Sequence, residues 1–402
     1  MSAEITSNLT PEEMKNLMPA ITKSVKPDTG DGELAQSKLT RRFMLIGTGD
    51  GGCNIAEAIH QEIPDTYFIA YNTSDKQKDN LHANMWIIPY GEDGSGKARS
   101  YSQDVFRKGS YRELLKTIGE VQASVKFACD YVIVISTADG GTGGGVSPMM
   151  AKFLSDNLEV PVLMMGVYPD INEDTTAQYN AMQWQSDVEK NGLHYLVLDN
   201  SCGLPRWQYQ ELVNKQAVAI MNILAGNPFG KTSLSQIDTR DMYTLLTHFP
   251  GRITVHAGTA KPGVGTSIGS YLTSMFAKWN QPAPSNASGY GLFIKAPESV
   301  IKTADTSIAE IRETVGDVPI QYTHLEQNED DIMIALICVG CSEPAARIAS
   351  MREKYDDVQR KLQKRTSSTS ELTAGINDPL GGTAPTGKGL KAGDMDTSAL
   401  GL

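Results

Sequence analysis

Between Phe43 and Asn200 the chain alternates two kinds of apolar segment. One kind is short and unbroken: "FMLIG" (43–47), "YFIAYN" (67–72), "YVIVIST" (131–137), "VPVLMMGVYP" (160–169) and "LHYLVLDN" (193–200). Runs without alternating polar positions predict strands buried on both faces. The other kind carries its apolar residues at helical spacing, as in "CNIAEAIHQEI" (53–63) and "SPMMAKFLSDN" (147–157). Strands of this type joined by helices predict an α/β fold built on a doubly wound parallel sheet. A long central helix is predicted from Gln208 to Leu224, containing "QELVNKQAVAIMNIL". Beyond it lie a helix, "DMYTLLTHF", and the strands "GRITVHAG", "GYGLFIKAP" and "DIMIALICVG", which predict a second, smaller α/β domain. A last helix, Pro344–Arg365, is charged on one face.

The same reading divides the chain. Residues 1–40 form an arm. Thr10 reads as an N-cap, Pro11 as the first helical residue and Glu13 as the closing member of a capping box. Met14, Leu17, Met18, Ile21 and Val25 then share one helical stripe. Two readings of this helix stand level: it docks on its own domain, or it reaches a neighbouring subunit. A polar linker follows. The main domain is expected over 41–205, the central helix over 206–226, the second domain over 227–350 and the end of the last helix over 351–365. Residues 366–402 turn to Ser, Thr, Gly and Pro, the composition of a flexible tail.

Composition narrows the function. The 402 residues carry a net charge of −11, which disfavours a broad nucleic-acid-binding surface. No apolar run reaches the roughly 20 residues of a membrane span, and the N-terminus lacks the basic-then-apolar order of a secretory signal. The five cysteines are scattered, as suits a reducing cytoplasm. Cys338 and Cys341 form one C-x-x-C at the end of an apolar strand, with no second pair, and read as buried thiols.

Two glycine clusters each join a predicted strand to a predicted helix. Gly47, Gly49 and Gly52 spell G-x-G-x-x-G, with Asp50 and Gly51 inside it and Cys53 after it. Alone this fits a dinucleotide fold, but the acid that would hold the ribose, about 20 residues on, is replaced by Asn72. The second cluster is Gly140, Gly141, Thr142, Gly143, Gly144 and Gly145. Neither is followed by G-K-[ST]. Two loops of bare backbone N–H groups on neighbouring strand ends suit a single polyphosphate gripped from both sides.

The second cluster, with "VSP" after it, resembles the signature loop of the tubulin/FtsZ superfamily, with Gly144 in place of the usual Thr or Ser. "IGTGDGGCNI" resembles that family's first glycine loop. The resemblance covers about residues 41–350 and implies a GTPase domain that binds GTP or GDP with Mg²⁺. Carried over residue by residue, it implies that Asn72 lies near the nucleotide and that Asp75, in "NTSD", holds Mg²⁺ through water. It places Gly94 and Gly96, in "YGEDGSGKA", at the γ-phosphate. It further implies Glu173 at the ribose, Asn200 at the sugar or base, and Asn214 on the guanine edge. The aromatic ring that the family stacks on the base is replaced by Gln210, with Tyr209 beside it.

Asp238 and Asp241 resemble the acid pair with which a family member enters the next subunit's site and polarises the attacking water; each also fits a helix cap or first-turn acid. Gln236 stands where FtsZ has Asn. The resemblance therefore implies a filament whose partner is a second copy of itself, with hydrolysis completed at the subunit contact. The tail, ending "KAGDMDTSALGL", points to the TubZ/PhuZ-like branch and to segregation or positioning of plasmid or phage DNA through an adaptor or cargo. An FtsZ-type cell-division GTPase is the alternative, and an NAD-dependent oxidoreductase using Gly47–Gly52 is a third reading.

Overall fold

The computed structural model describes residues 42–63, 66–89, 94–125, 129–225, 239–260, 275–276, 279–297, 312, 320–326 and 332–374. The arm, Asp238, Gln236 and the tail beyond Ala374 lie outside them. In chain order the main elements are β1 (Phe43–Thr48), α1 (Gly49–Glu62), β2 (Thr66–Tyr71), β3 (Met85–Ile87), α2 (Arg99–Val105), α3 (Tyr111–Val125), β4 (Tyr131–Thr137) and α4 (Thr142–Asn157). There follow β5 (Val162–Tyr168), α5 (Thr175–Lys190), β6 (His194–Asp199), α6 (Arg206–Leu224), α7 (Thr239–His248), β7 (Gly251–Ala260), β8 (Gly289–Ala296), β9 (Ile320–Glu326), β10 (Ile332–Cys341) and α8 (Ala345–Ala374).

The strands join in one sheet of order β3-β2-β1-β4-β5-β6-β7-β10-β8-β9. From β3 to β7 neighbouring strands are parallel; β10 runs antiparallel to both β7 and β8. The order 3-2-1-4-5-6 reverses direction between β1 and β4, and a doubly wound sheet opens a crevice at that switch point. The helices after these two strands leave to opposite faces. The α1 side chains Ile55, Ala56 and Ile59 pack with Leu45, Ile133, α6 and α7, whereas α4 packs Met150, Phe153 and Leu154 with Ile46, Val134, α3 and α5. All six residues of β1 and all seven of β5 are buried, which is why these strands read as unbroken apolar runs.

Three differences from the sequence reading stand out. Helices α1 and α4 begin at Gly49 and Thr142, inside the glycine clusters, so the glycines form first helical turns as well as loops. The i−4 bonds from Gly144 N to Gly140 O (3.1 Å) and from Gly145 N to Gly141 O (3.0 Å) close that turn. β3, β9 and the α2–α3 pair lie outside the elements read from the sequence; β3 is only three residues long and partly exposed. And α8 continues to Ala374, past Arg365 and into the stretch read as tail. No helix among the described residues is long and apolar enough to cross a membrane.

Candidate functional site

The site is built where β1 and β4 end. Thr48 pairs with Ser136 in the ladder, so the two glycine loops emerge side by side. They interlock. A Cβ on Gly49 would come within 2.8 Å of Gly143 N, and one on Gly143 within 2.8 Å of Thr48 O. A Cβ on Gly51 would meet Thr137 Cγ2 at 2.3 Å, and one on Gly52 would meet Ile135 O at 2.3 Å. Only bare backbone fits at these four positions. The first-turn N–H groups of α1, and those of Thr142 and Gly143 in α4, have no acceptor inside their own helices, and both positive dipole ends converge on the same crevice. That is the electrostatic requirement of an anion cradle.

Two more loops close on it. Thr73, after β2, shares a hydrogen bond with Thr142 (Oγ1 to Oγ1, 2.7 Å), and Thr142 Oγ1 donates to Ser95 Oγ at 3.2 Å. A Cβ on Gly141 would lie 2.3 Å from Ser95 Oγ, so the segment 94–98 sits directly on the second glycine cluster. Asn180 of α5 fastens that segment from outside: its Nδ2 donates to Lys97 O (3.1 Å) and to Asp139 O (2.9 Å). The Lys97 ammonium meets Asp174, the N-cap of α5, at 2.5 Å. Burial works against the Asp174 charge, but this bond and that from Ala177 N hold its carboxyl below the usual range.

Most residues singled out in the sequence come together here, with several changes of role. Asn72 Nδ2 donates to Asp50 Oδ1 at 2.7 Å, so the residue standing in the ribose acid's place instead orients a carboxylate in the first turn of α1. Gly94 N donates to Thr73 O (3.2 Å), which commits its backbone donor within the cradle; Gly96 adopts φ +56 with open space around it. Gly140 also has room, with nothing closer to its missing Cβ than 3.6 Å. Gly144 and Gly145 pack on Ala138 O and Arg99. Asp75 is exposed at the rim.

Cys53 requires a correction. Its side chain is fully buried in the core between α1 and the sheet, and Sγ lies 3.3 Å from Gly47 O. Burial, reinforced by Asp50, pushes the thiol well above its ordinary range. The thiol therefore packs beneath the cradle and does not face it.

At the far end of the crevice, Tyr209 OH donates to Glu173 Oε1 at 3.3 Å, and Arg206 stands 4.0 Å from the same carboxylate. Tyr209 is buried, so the ring next to Gln210 serves as a wall of this end. Asn200 follows β6 with a buried Oδ1 that has no hydrogen-bond partner among the described residues, an orphaned acceptor at the position expected to meet sugar or base. Asn214 sits half-buried along α6. Asp241 lies in the first turn of α7, beyond the C-terminal end of α6.

Two contributors were missed. Ser95 is one; nothing in its local sequence marks it. Asp139 is the other, and its signal was legible as an acid set immediately before the second glycine cluster. Burial pushes its carboxyl up, offset in part by the Thr137 hydroxyl and by Lys97.

This fold and site define a class: a doubly wound α/β domain with a two-loop polyphosphate cradle at its switch point. Residues 42–202 match the Tubulin/FtsZ family, GTPase domain. Among curated relatives, the tubulin-like protein TubZ of Clostridium botulinum C phage is 30% identical over 194 residues, 46% of this chain and 51% of the relative. The match thus spans about half the length of that relative. Among solved structures, Clostridium botulinum phage c-st TubZ with its C-terminal tail truncated aligns with TM-score 0.63 at 21% identity, over 81% of this chain and 99% of that one. CetZ2 from Haloferax volcanii, solved as a GTPγS-bound protofilament, aligns with TM-score 0.63 at 18% identity, over 79% and 99%. At these identities the two structures establish the shared fold.

Proposed function

We propose that this protein binds GTP in the crevice between β1 and β4, assembles head to tail into filaments, and hydrolyses the nucleotide at the contact between subunits. One observation carries the reading: the two glycine loops interlock through backbone alone and aim two helix N-termini at one point. The phosphates take the first-turn N–H groups of Gly49–Gly52 and those of Thr142 and Gly143. The hydroxyls of Thr73, Ser95 and Thr142 line the cradle, and Glu173, Asn200 and Asn214 meet the ribose and base. Oxygen donors suit Mg²⁺, and Asp50 and Asp75 at the cradle are carboxylates of the kind that hold it through water. When bound, the ion neutralises charge that develops between the phosphates.

Asp238 and Asp241 act on the next copy's nucleotide. An acid pair lent by one copy to the phosphate cradle of the next makes an active site that only a head-to-tail contact completes. The Haloferax volcanii CetZ2 structure, a GTPγS-bound protofilament, supports the self-assembly step. Segregation or positioning of plasmid or phage DNA is the cellular role that the TubZ-like branch implies for it.

The test is equilibrium binding of GTP, ATP and NAD to the full chain, with negative-stain microscopy of the same samples. GTP binding in preference to the other two, together with GTP-dependent filaments, supports the reading. Preferential NAD binding without filaments overturns it.

A further inference from the structure

Arg347, in the first turn of α8, reaches the roots of both loops at the sugar end of the crevice. Its Nε donates to Asp199 Oδ2 at 2.6 Å and its Nη2 to Asp199 Oδ1 at 3.3 Å, while Nη2 also donates to Pro169 O at 2.6 Å. The guanidinium lies over the Tyr168 ring, 5.9 Å from its centroid. Arg347 and Asp199 are 11% and 15% exposed, so the pair works largely out of water.

Each partner of Arg347 starts a turn that carries an expected nucleotide contact. Asp199 Oδ1 also accepts from Ser201 N at 2.9 Å, and this turn encloses Asn200. Pro169 follows β5 and immediately precedes Asp170, whose side chain accepts from Asn172 N (2.8 Å) and whose carbonyl accepts from Glu173 N (3.0 Å). The root of one turn holds Asn200 and the root of the other holds Glu173. The helix bearing Arg347 is itself fixed: Met351 is fully buried in the core shared by α4 and α5, and Tyr355 packs on Tyr179 with centroids 5.3 Å apart.

We propose that Arg347 is a positioning residue for the sugar-and-base end of the nucleotide site, setting Glu173 and Asn200 through Pro169 and Asp199; this rests on the GTP-binding reading above. It makes the C-terminal helix part of nucleotide recognition. By reciprocity, anything that displaces the start of α8 weakens nucleotide binding, and bound nucleotide holds that helix in place. The cradle at the switch point is untouched, because Arg347 has no bond to the glycine loops.

The experiment compares the wild-type full chain with Arg347→Lys and Arg347→Met, at concentrations below assembly. Three probes are bound: GTP, 2′,3′-dideoxy-GTP and inorganic tripolyphosphate, each with Mg²⁺. Arg347→Met is expected to lose roughly tenfold in GTP affinity, the scale of one charge-assisted hydrogen bond. It keeps tripolyphosphate affinity within about twofold, on the same affinity scale, and loses less with the dideoxy nucleotide than with GTP. Arg347→Lys, which keeps the charge without the fork, falls between. Equal losses on all three probes, as from general destabilisation, overturn the proposal, as does unchanged GTP affinity in both variants. The wild-type column reads the GTP-binding premise separately from the variant-to-wild-type ratios.

Discussion

Gly49 is the position where a single added methyl group tests the cradle most sharply. Its φ of +67 lies in the left-handed region, where any L residue other than glycine costs about 1–2 kcal/mol. An added Cβ would also stand 2.8 Å from Gly143 N and 3.3 Å from Gly143 Cα. Relief of that contact requires the two glycine loops to part by roughly half an ångström, and overpacking of this kind costs about 1–3 kcal/mol. Gly49→Ala should therefore lose roughly 2–5 kcal/mol of stability in urea unfolding. The displaced atoms are the Gly143 N–H and its neighbours, the donors assigned to the phosphates. Nucleotide affinity should consequently fall by about 1.4 kcal/mol or more, tenfold at the least. The assay is equilibrium binding of a fluorescent GTP analogue, run at a temperature where the variant remains folded. If Gly49→Ala is destabilised as calculated yet binds nucleotide as the wild type does, the interlocked loops are a structural joint and not the phosphate site.

Other outcomes follow from the same coordinates. Gly119 lies within α3, and a Cβ there would meet nothing within 4 Å, so Gly119→Ala should add about 0.5–1 kcal/mol of stability without changing nucleotide affinity. His256 is fully buried against Phe276 and Trp279; burial, with the Arg252 charge, holds its pKa down at about 3. The unfolded chain takes up that proton near pH 6.5 and the native chain does not, so stability falls as pH drops from about 6.5 toward 3. The loss attributable to this residue is about 2 kcal/mol at pH 5, and His256→Leu should flatten that part of a chemical-denaturation pH series. Lys97→Ala removes the ion pair with Asp174 that fastens the 94–98 segment; because both side chains are about half exposed, it should cost under about 1 kcal/mol of stability, read by the same denaturation.

How much of this was legible depended on what kind of contact made each feature. The strands β1, β4, β5 and β6 are buried on both faces, so composition alone exposed them. β3 is a three-residue, partly exposed edge strand and left no such trace. The glycine clusters were legible as loops. Their interlock was not, since a contact between Gly49 and Gly143, 94 positions apart, depends on β1 pairing with β4, a strand order the sequence leaves open. The glycines thus read as a demand of phosphate alone, while the structure adds a demand from each loop upon the other. The direction of the Cys53 thiol is illegible for a related reason: position next to a loop says nothing about side-chain direction, and helical geometry turns this one into the core. Arg347 lies 148 residues from Asp199, and no local signal announces such a pairing.

The central claim is that the cradle of one subunit is completed by Asp238 and Asp241 of the next. Its most direct test is GTP turnover per subunit as a function of protein concentration, recorded alongside light scattering. Turnover that is near zero at low concentration, rises together with scattering, and vanishes in the Asp238→Ala/Asp241→Ala double variant while GTP still binds is the predicted result. A turnover per subunit that stays constant down to concentrations where only monomers exist would contradict it.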